Sequence, residues 1–194
     1  MKRISILTVS LLASSIAVAP IAKATTYVGT LSGANESPAT SSLGSGSVVI
    51  TVSPDLATME IQATFMDLSG TSTAAHIHCC LVPQGPLNVN VATQLPSFTG
   101  FPLGVTSGSY DHTFDLTDSA TYNPAFVTAQ GSVANAQAAL LAGIAGGTAY
   151  FNIHSTAFTG GEIRTFFTVP EPRALGWLVL GLGALGLALR RRLA

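Results

Sequence analysis

The stretch TAYFNIHSTAFTGGEIRTFFT, residues 148–168, decides the fold. Over 148–155 it alternates. Tyr150, Asn152 and His154 fall on one face of an extended chain, Phe151 and Ile153 on the other. Beyond Ala157–Gly160 the alternation resumes, with Glu162 and Arg164 on one face and Ile163 on the other. Two such runs joined by turn residues predict an antiparallel hairpin with one apolar and one hydrogen-bonding face. The run 74–82 repeats the pattern, with His76 and His78 opposite Ile77. If the three runs are neighbours, His76, His78, Asn152, His154, Glu162 and Arg164 form one polar patch. Glu162 and Arg164, two residues apart on one face, predict an ion pair that orders the hairpin.

The rest of the body agrees. Gly, Ser and Thr are abundant, and short apolar runs alternate with turn signals. Strands are expected at 26–31, 45–52, 57–68, 74–82, 88–95, 107–117, 148–155 and 161–168. One segment has helical spacing: Val133, Ala136, Leu140 and Ile144 share a face, with Ser132 as N-cap and Gly146-Gly147 as stop. Eight strands with one inserted helix predict an all-β, antiparallel sandwich or barrel.

The two ends differ from the body. Residues 1–24 have a basic start, an apolar stretch and Ala22-Lys23-Ala24, the pattern of a cleaved signal peptide, so the mature chain is expected to begin at Thr25. Residues 174–189 are uncharged and end in Arg190, Arg191 and Arg192. As a helix they would span roughly 24 Å, and the basic end would stay cytoplasmic, as in a transmembrane anchor. Pro170-Glu171-Pro172 directly precedes this segment. Motif, apolar segment and basic end together resemble the PEP-CTERM sorting signal of Gram-negative bacteria, in which Pro170, Glu171 and Pro172 would be the recognition motif. The resemblance implies processing by a membrane-embedded exosortase. It also implies an exported protein, anchored first in the inner membrane and then retained at the cell surface or in an extracellular polysaccharide matrix.

Between these ends, residues 25–169 form one domain with eight acids and a single base, Arg164, a formal charge of −7. That excludes a nucleic-acid partner, which needs basic surface against phosphate. Neutral exopolysaccharide and divalent cations remain open as partners. The two cysteines, Cys79 and Cys80, are adjacent. In an oxidising compartment they could form a vicinal disulfide, remain free, bridge between molecules or bind metal.

The segments LSGANESP at 31–38, AAHIH at 74–78, YFNIH at 150–154 and GGEIR at 160–164 occur in this order. They resemble the CHRD domain, first described in chordin and found in microbial proteins. The resemblance covers about residues 25–168 and implies an immunoglobulin-like or superoxide-dismutase-like β architecture with no enzymatic activity to transfer. The chain departs from the family pattern at Cys79-Cys80, directly after HIH.

The histidines admit two readings. His76, His78 and His154 could be ligands for Cu or Zn, with His112 as a fourth. Alternatively, histidine, Glu162, Arg164 and Asn152 form a structural network. A dismutase activity fits poorly, because a domain at −7 repels superoxide. The sequence therefore predicts an exported, non-enzymatic surface or matrix protein; the alternative is a metal-binding module.

Overall fold

The computed structural model describes residues 23–82 and 87–170. The expected signal peptide, apart from Lys23 and Ala24, lies outside these residues. So do Glu171, Pro172, the apolar segment 174–189 and the basic end. No helix of the described residues is long and apolar enough to cross a membrane.

Seven strands form one antiparallel sheet: β1 (Thr25–Ser32), β2 (Ser45–Val52), β3 (Thr58–Met66), β4 (Ser72–His78), β5 (Gly108–Asp115), β6 (Tyr150–Ser155) and β7 (Ile163–Phe166). Their order is β4-β6-β7-β1-β2-β3-β5. Two helices, α1 (Pro124–Gln130) and α2 (Val133–Ala145), lie between β5 and β6 in the chain. Alternation puts Val48, Ile50, Met59, Ile61, Phe114, Phe151, Ile153 and Ile163 into one core. The sheet curls into a half-barrel around Phe98. The Phe98 ring lies 5.3 Å from that of Phe114 on β5 and 5.8 Å from that of Phe151 on β6, so residues near opposite ends of the sheet meet on one side chain.

The structure changes the expected count to seven strands and two helices. The run 88–95 is not a strand; it makes only isolated bridges, from Val91 to His78 and from Thr93 to Tyr122. It lies along the open edge of β4, where side-chain hydroxyls alternate with a few backbone bonds, such as the Ala92 N–H to the Ile77 carbonyl, in place of a regular ladder. The Ile77 N–H donates to Thr93 Oγ1 and the Ala75 N–H to Ser97 Oγ, which covers the edge without extending the sheet. The strand expected over 74–82 stops at His78, because the next two residues are Cys79 and Cys80, whose sulfurs are joined. Adjacent residues of an extended strand point to opposite faces and cannot bond in this way.

The expected helix is α2. Its buried face is Ala136, Leu140, Gly143 and Ile144, and Ser132 caps it by accepting from the Asn135 N–H. The unexpected helix, α1, has only Phe126 buried and thus no apolar periodicity. Its signals are local: Asn123 accepts from the Ala125 N–H, Pro124 opens the helix and Gly131 closes it at φ 85°.

Candidate functional site

The outer face of β4, β6 and β7 carries the residues singled out from the sequence. Antiparallel register sets His76 opposite Asn152, Ala74 opposite His154 and His78 opposite Tyr150. Asn152 in turn faces Arg164, and Tyr150 faces Phe166. Much of this face is covered. The 3-10 turn Gly33–Asn35 and the segment 87–97 lie over it and supply hydrogen-bonding groups. The polar patch is thus largely covered, with His78 and His154 half-buried.

One end of the patch centres on Arg164. Its Nε donates to the Asn35 carbonyl; its Nη1 donates to the Leu87 carbonyl at 3.1 Å and to Asn88 Oδ1 at 3.0 Å. Its guanidinium carbon stands 4.7 Å from the centre of the Tyr150 ring. The acid paired with it is Glu36, at 3.7 Å, and not the expected Glu162. Glu36 also accepts from Asn152 Nδ2 at 2.5 Å. Burial pushes the Glu36 carboxyl up to about 7; Arg164 and the Ser37 backbone N–H only partly oppose this. Gly161 permits the packing. Its φ is +129°, and a Cβ there would lie 2.5 Å from Asn152 Nδ2 and 2.8 Å from Glu36 Oε1.

Glu162 belongs to a separate arrangement. It is fully buried just before β7, and its Oε1 accepts from Ser42 Oγ and from the Ser69 N–H, each at 2.5 Å. Burial acts to raise its carboxyl pKa, but hydrogen bonds from Ser155, Ser42 and Ser69 outweigh that and hold it below the usual value. The pair expected from sequence fails because Arg164 turns toward the loop at Asn35, whereas Glu162 turns toward the loops at Ser42 and Ser69.

The other end of the patch is the histidines. The His76 and His154 ring centres are 5.4 Å apart, His76 and His78 5.8 Å, and His78 and His154 6.0 Å. Each ring has one nitrogen against a backbone carbonyl: His76 Nε2 on Pro96 at 2.7 Å, His78 Nδ1 on Val89 at 2.7 Å, and His154 Nδ1 on Thr159 at 2.9 Å. A carbonyl oxygen has no proton to give, so each of these nitrogens carries the N–H. That fixes a lone pair on the other nitrogen. Those others, His76 Nδ1, His78 Nε2 and His154 Nε2, are buried without a partner. One ring nitrogen from each histidine lies within 4.8 Å of the others. Burial, the largest cause, lowers all three pKa values, to about 4 for His76 and His78, so the rings are neutral at pH 7.

The CHRD domain model matches residues 27–167. The chain belongs to the CHRD family. No curated protein and no solved structure matches it. The four segments that suggested the family from sequence all meet at one place in this CHRD domain. Asn35 and Glu36 come from the first, His76 and His78 from the second, Asn152 and His154 from the third, and Arg164 from the fourth.

Sequence reasoning found the three histidines, Asn152 and Arg164. It gave no role to Asn35, Glu36, Asn88 or Tyr150. The first two lie within LSGANESP and carried a signal through that segment; Asn88 carried none. His112 does not join the group. It lies on β5, where it pairs with the core residue Ile61 of β3 and packs between Tyr110 and Phe114. Cys79 and Cys80 form a vicinal disulfide, seated against Gly143 of α2, where a Cβ would meet Cys79 Sγ at 2.5 Å.

Proposed function

We propose that this CHRD domain is the non-enzymatic body of an exported protein and that it holds one transition-metal ion on His76, His78 and His154. One observation carries the reading: three buried lone-pair nitrogens converge, each on a ring whose other nitrogen is fixed by a backbone carbonyl. Metal-binding histidines have this outer support, which sets the tautomer and aims the ring. Asn152 Oδ1 and Glu162 Oε2 are unpartnered too, but singly; leaving three neighbouring ring nitrogens unpaired is the larger destabilisation for a purely structural network. Ligands about 2.0–2.1 Å from one ion stand roughly 3.3–3.6 Å apart. The rings therefore close by about an ångström on loading.

Copper and zinc both suit imidazole. The CHRD domain would be delivered by the N-terminal signal. Its tail, with Pro170, Glu171 and Pro172, would be processed by an exosortase at the inner membrane before retention at the surface or in the matrix. Elemental analysis of the full-length protein, purified without an affinity tag, tests the metal. About one equivalent is expected in the parent and almost none in His154→Ala. No metal in either, even after addition of copper or zinc, leaves the structural network as the answer. N-terminal sequencing and intact mass of protein from the surface test the export reading, with Thr25 expected first and residues 190–192 absent.

A further inference from the structure

Resting on the metal reading above, the geometry points to a preference: we infer that the three histidines take copper(I) as a three-coordinate ion rather than zinc(II). The donor set is the first argument. The group that converges is His76, His78 and His154, with no carboxylate and no thiolate in it. Protein zinc is almost always four-coordinate, with a fourth protein ligand or a water. Here the three free nitrogens have no surface open to solvent, so water has no ready route to a fourth position. The neighbouring polar side chain is Asn152, opposite His76. Its amide nitrogen is bound to Glu36; its amide oxygen is buried without a partner but is a neutral, hard donor, a poor ligand for copper(I).

Charge is the second argument. Neutral imidazoles cancel none of the charge of the ion. A fixed charge acting on His78 is unfavourable: Arg164 lies on the Tyr150 ring, which stacks on His78 with centres 4.8 Å apart and planes within 6°. The desolvation penalty for an ion entering a low-dielectric site grows with the square of its charge, so a divalent ion is penalised about fourfold more than a monovalent one. Copper(I) has a closed d shell, carries one charge and is satisfied by three nitrogens.

The test uses the full-length untagged protein. Copper(I), kept reduced by ascorbate without oxygen, is titrated against a chromophoric copper(I) chelator, and zinc(II) against a chromophoric zinc chelator. The expected result is one copper(I) per chain, bound at least 100-fold more tightly than zinc(II). X-ray absorption should show three nitrogen neighbours and no fourth ligand. His154→Gln, at the partly exposed ring, should weaken copper(I) at least 100-fold; near-ultraviolet circular dichroism checks that the variant is folded. Equal or tighter zinc binding, or a fourth ligand on copper, overturns the preference and leaves the metal site standing. If neither ion binds at one equivalent, the preference and the site both fall. Should the variant unfold, the absorption spectrum of the parent still decides.

Discussion

The outer face of β4, β6 and β7 has two ends built from the same kind of residue and finished differently. At the Arg164 end, most donors meet acceptors: Nε and Nη1 reach three oxygens and Asn152 Nδ2 donates to Glu36, with Asn152 Oδ1 left unpartnered. At the histidine end, three buried nitrogens are left over. Burial alone does not explain this, because Arg164, Glu36 and Asn152 are the more deeply buried, whereas His78 and His154 are half-buried. Single unpartnered atoms occur elsewhere, on Asn152 Oδ1 and Glu162 Oε2, but only at the histidine end do three ring nitrogens go unpartnered side by side. The unmatched end is where a ligand belongs.

The strongest way to break the contrast is to damage the satisfied end. Arg164→Ala leaves Glu36 without its cation and strands the Asn35 and Leu87 carbonyls. The expected destabilisation is about 3 kcal/mol or more, which for a chain of this size lowers Tm by roughly 6–12 °C. A change under about 1 kcal/mol would mean that the arginine is not structural. Gly161→Ala attacks the same contact from the backbone. It forces a Cβ against Asn152 and Glu36 at a φ that disfavours side chains. A loss of about 2–3 kcal/mol is expected by chemical denaturation.

The two ends also differed in how far they could be read from sequence. Period-two alternation fixed which residues of each strand share a face, and the turn at Ala157–Gly160 paired β6 with β7. That β4 lies beside β6 was a condition of the reading, and the sheet order meets it, which brings the three histidines together. The partner of Arg164 was not legible in this way. Glu162 shares its face in sequence, but Glu36 reaches it across more than a hundred residues, from a loop whose path depends on tertiary packing. The same limit hid the role of segment 88–97, where alternation suggested a strand but hydroxyls interrupt the backbone bonding to β4. Helix α1 was missed because its evidence is capping, with only one buried side chain to give a period.

A smaller, pH-dependent effect sharpens the comparison. The Glu36 carboxyl, at about 7 in the fold, lies above its ordinary value of 4.5. Between those values the folded state holds a proton that the unfolded chain has released. Its contribution is therefore full below about pH 4.5 and is lost as pH rises through 7. Glu36→Gln cannot titrate. From pH 5 to pH 8 the parent should lose more stability than the variant, by on the order of 2 kcal/mol. Parallel melting curves across that range would show instead that Arg164 keeps Glu36 ionised.

The smallest expected effect on the fold itself is at the histidine end. With chelator present, His154→Ala should change stability by less than about 1 kcal/mol, since its ring is partly exposed and one of its nitrogens is unpartnered. Added metal should raise the Tm of the parent and leave the variant unmoved. A large loss in chelator would place His154 with the structural end.

The central claim is most directly tested by the imidazole nitrogens themselves, in a long-range ¹H–¹⁵N correlation spectrum of the full-length protein at pH 7. The account predicts three neutral rings, with protons on His76 Nε2, His78 Nδ1 and His154 Nδ1. One equivalent of copper(I) or zinc(II) should then shift His76 Nδ1, His78 Nε2 and His154 Nε2 together, while His112 stays still. Protonated rings, the opposite tautomers, or no common shift on adding metal would contradict it.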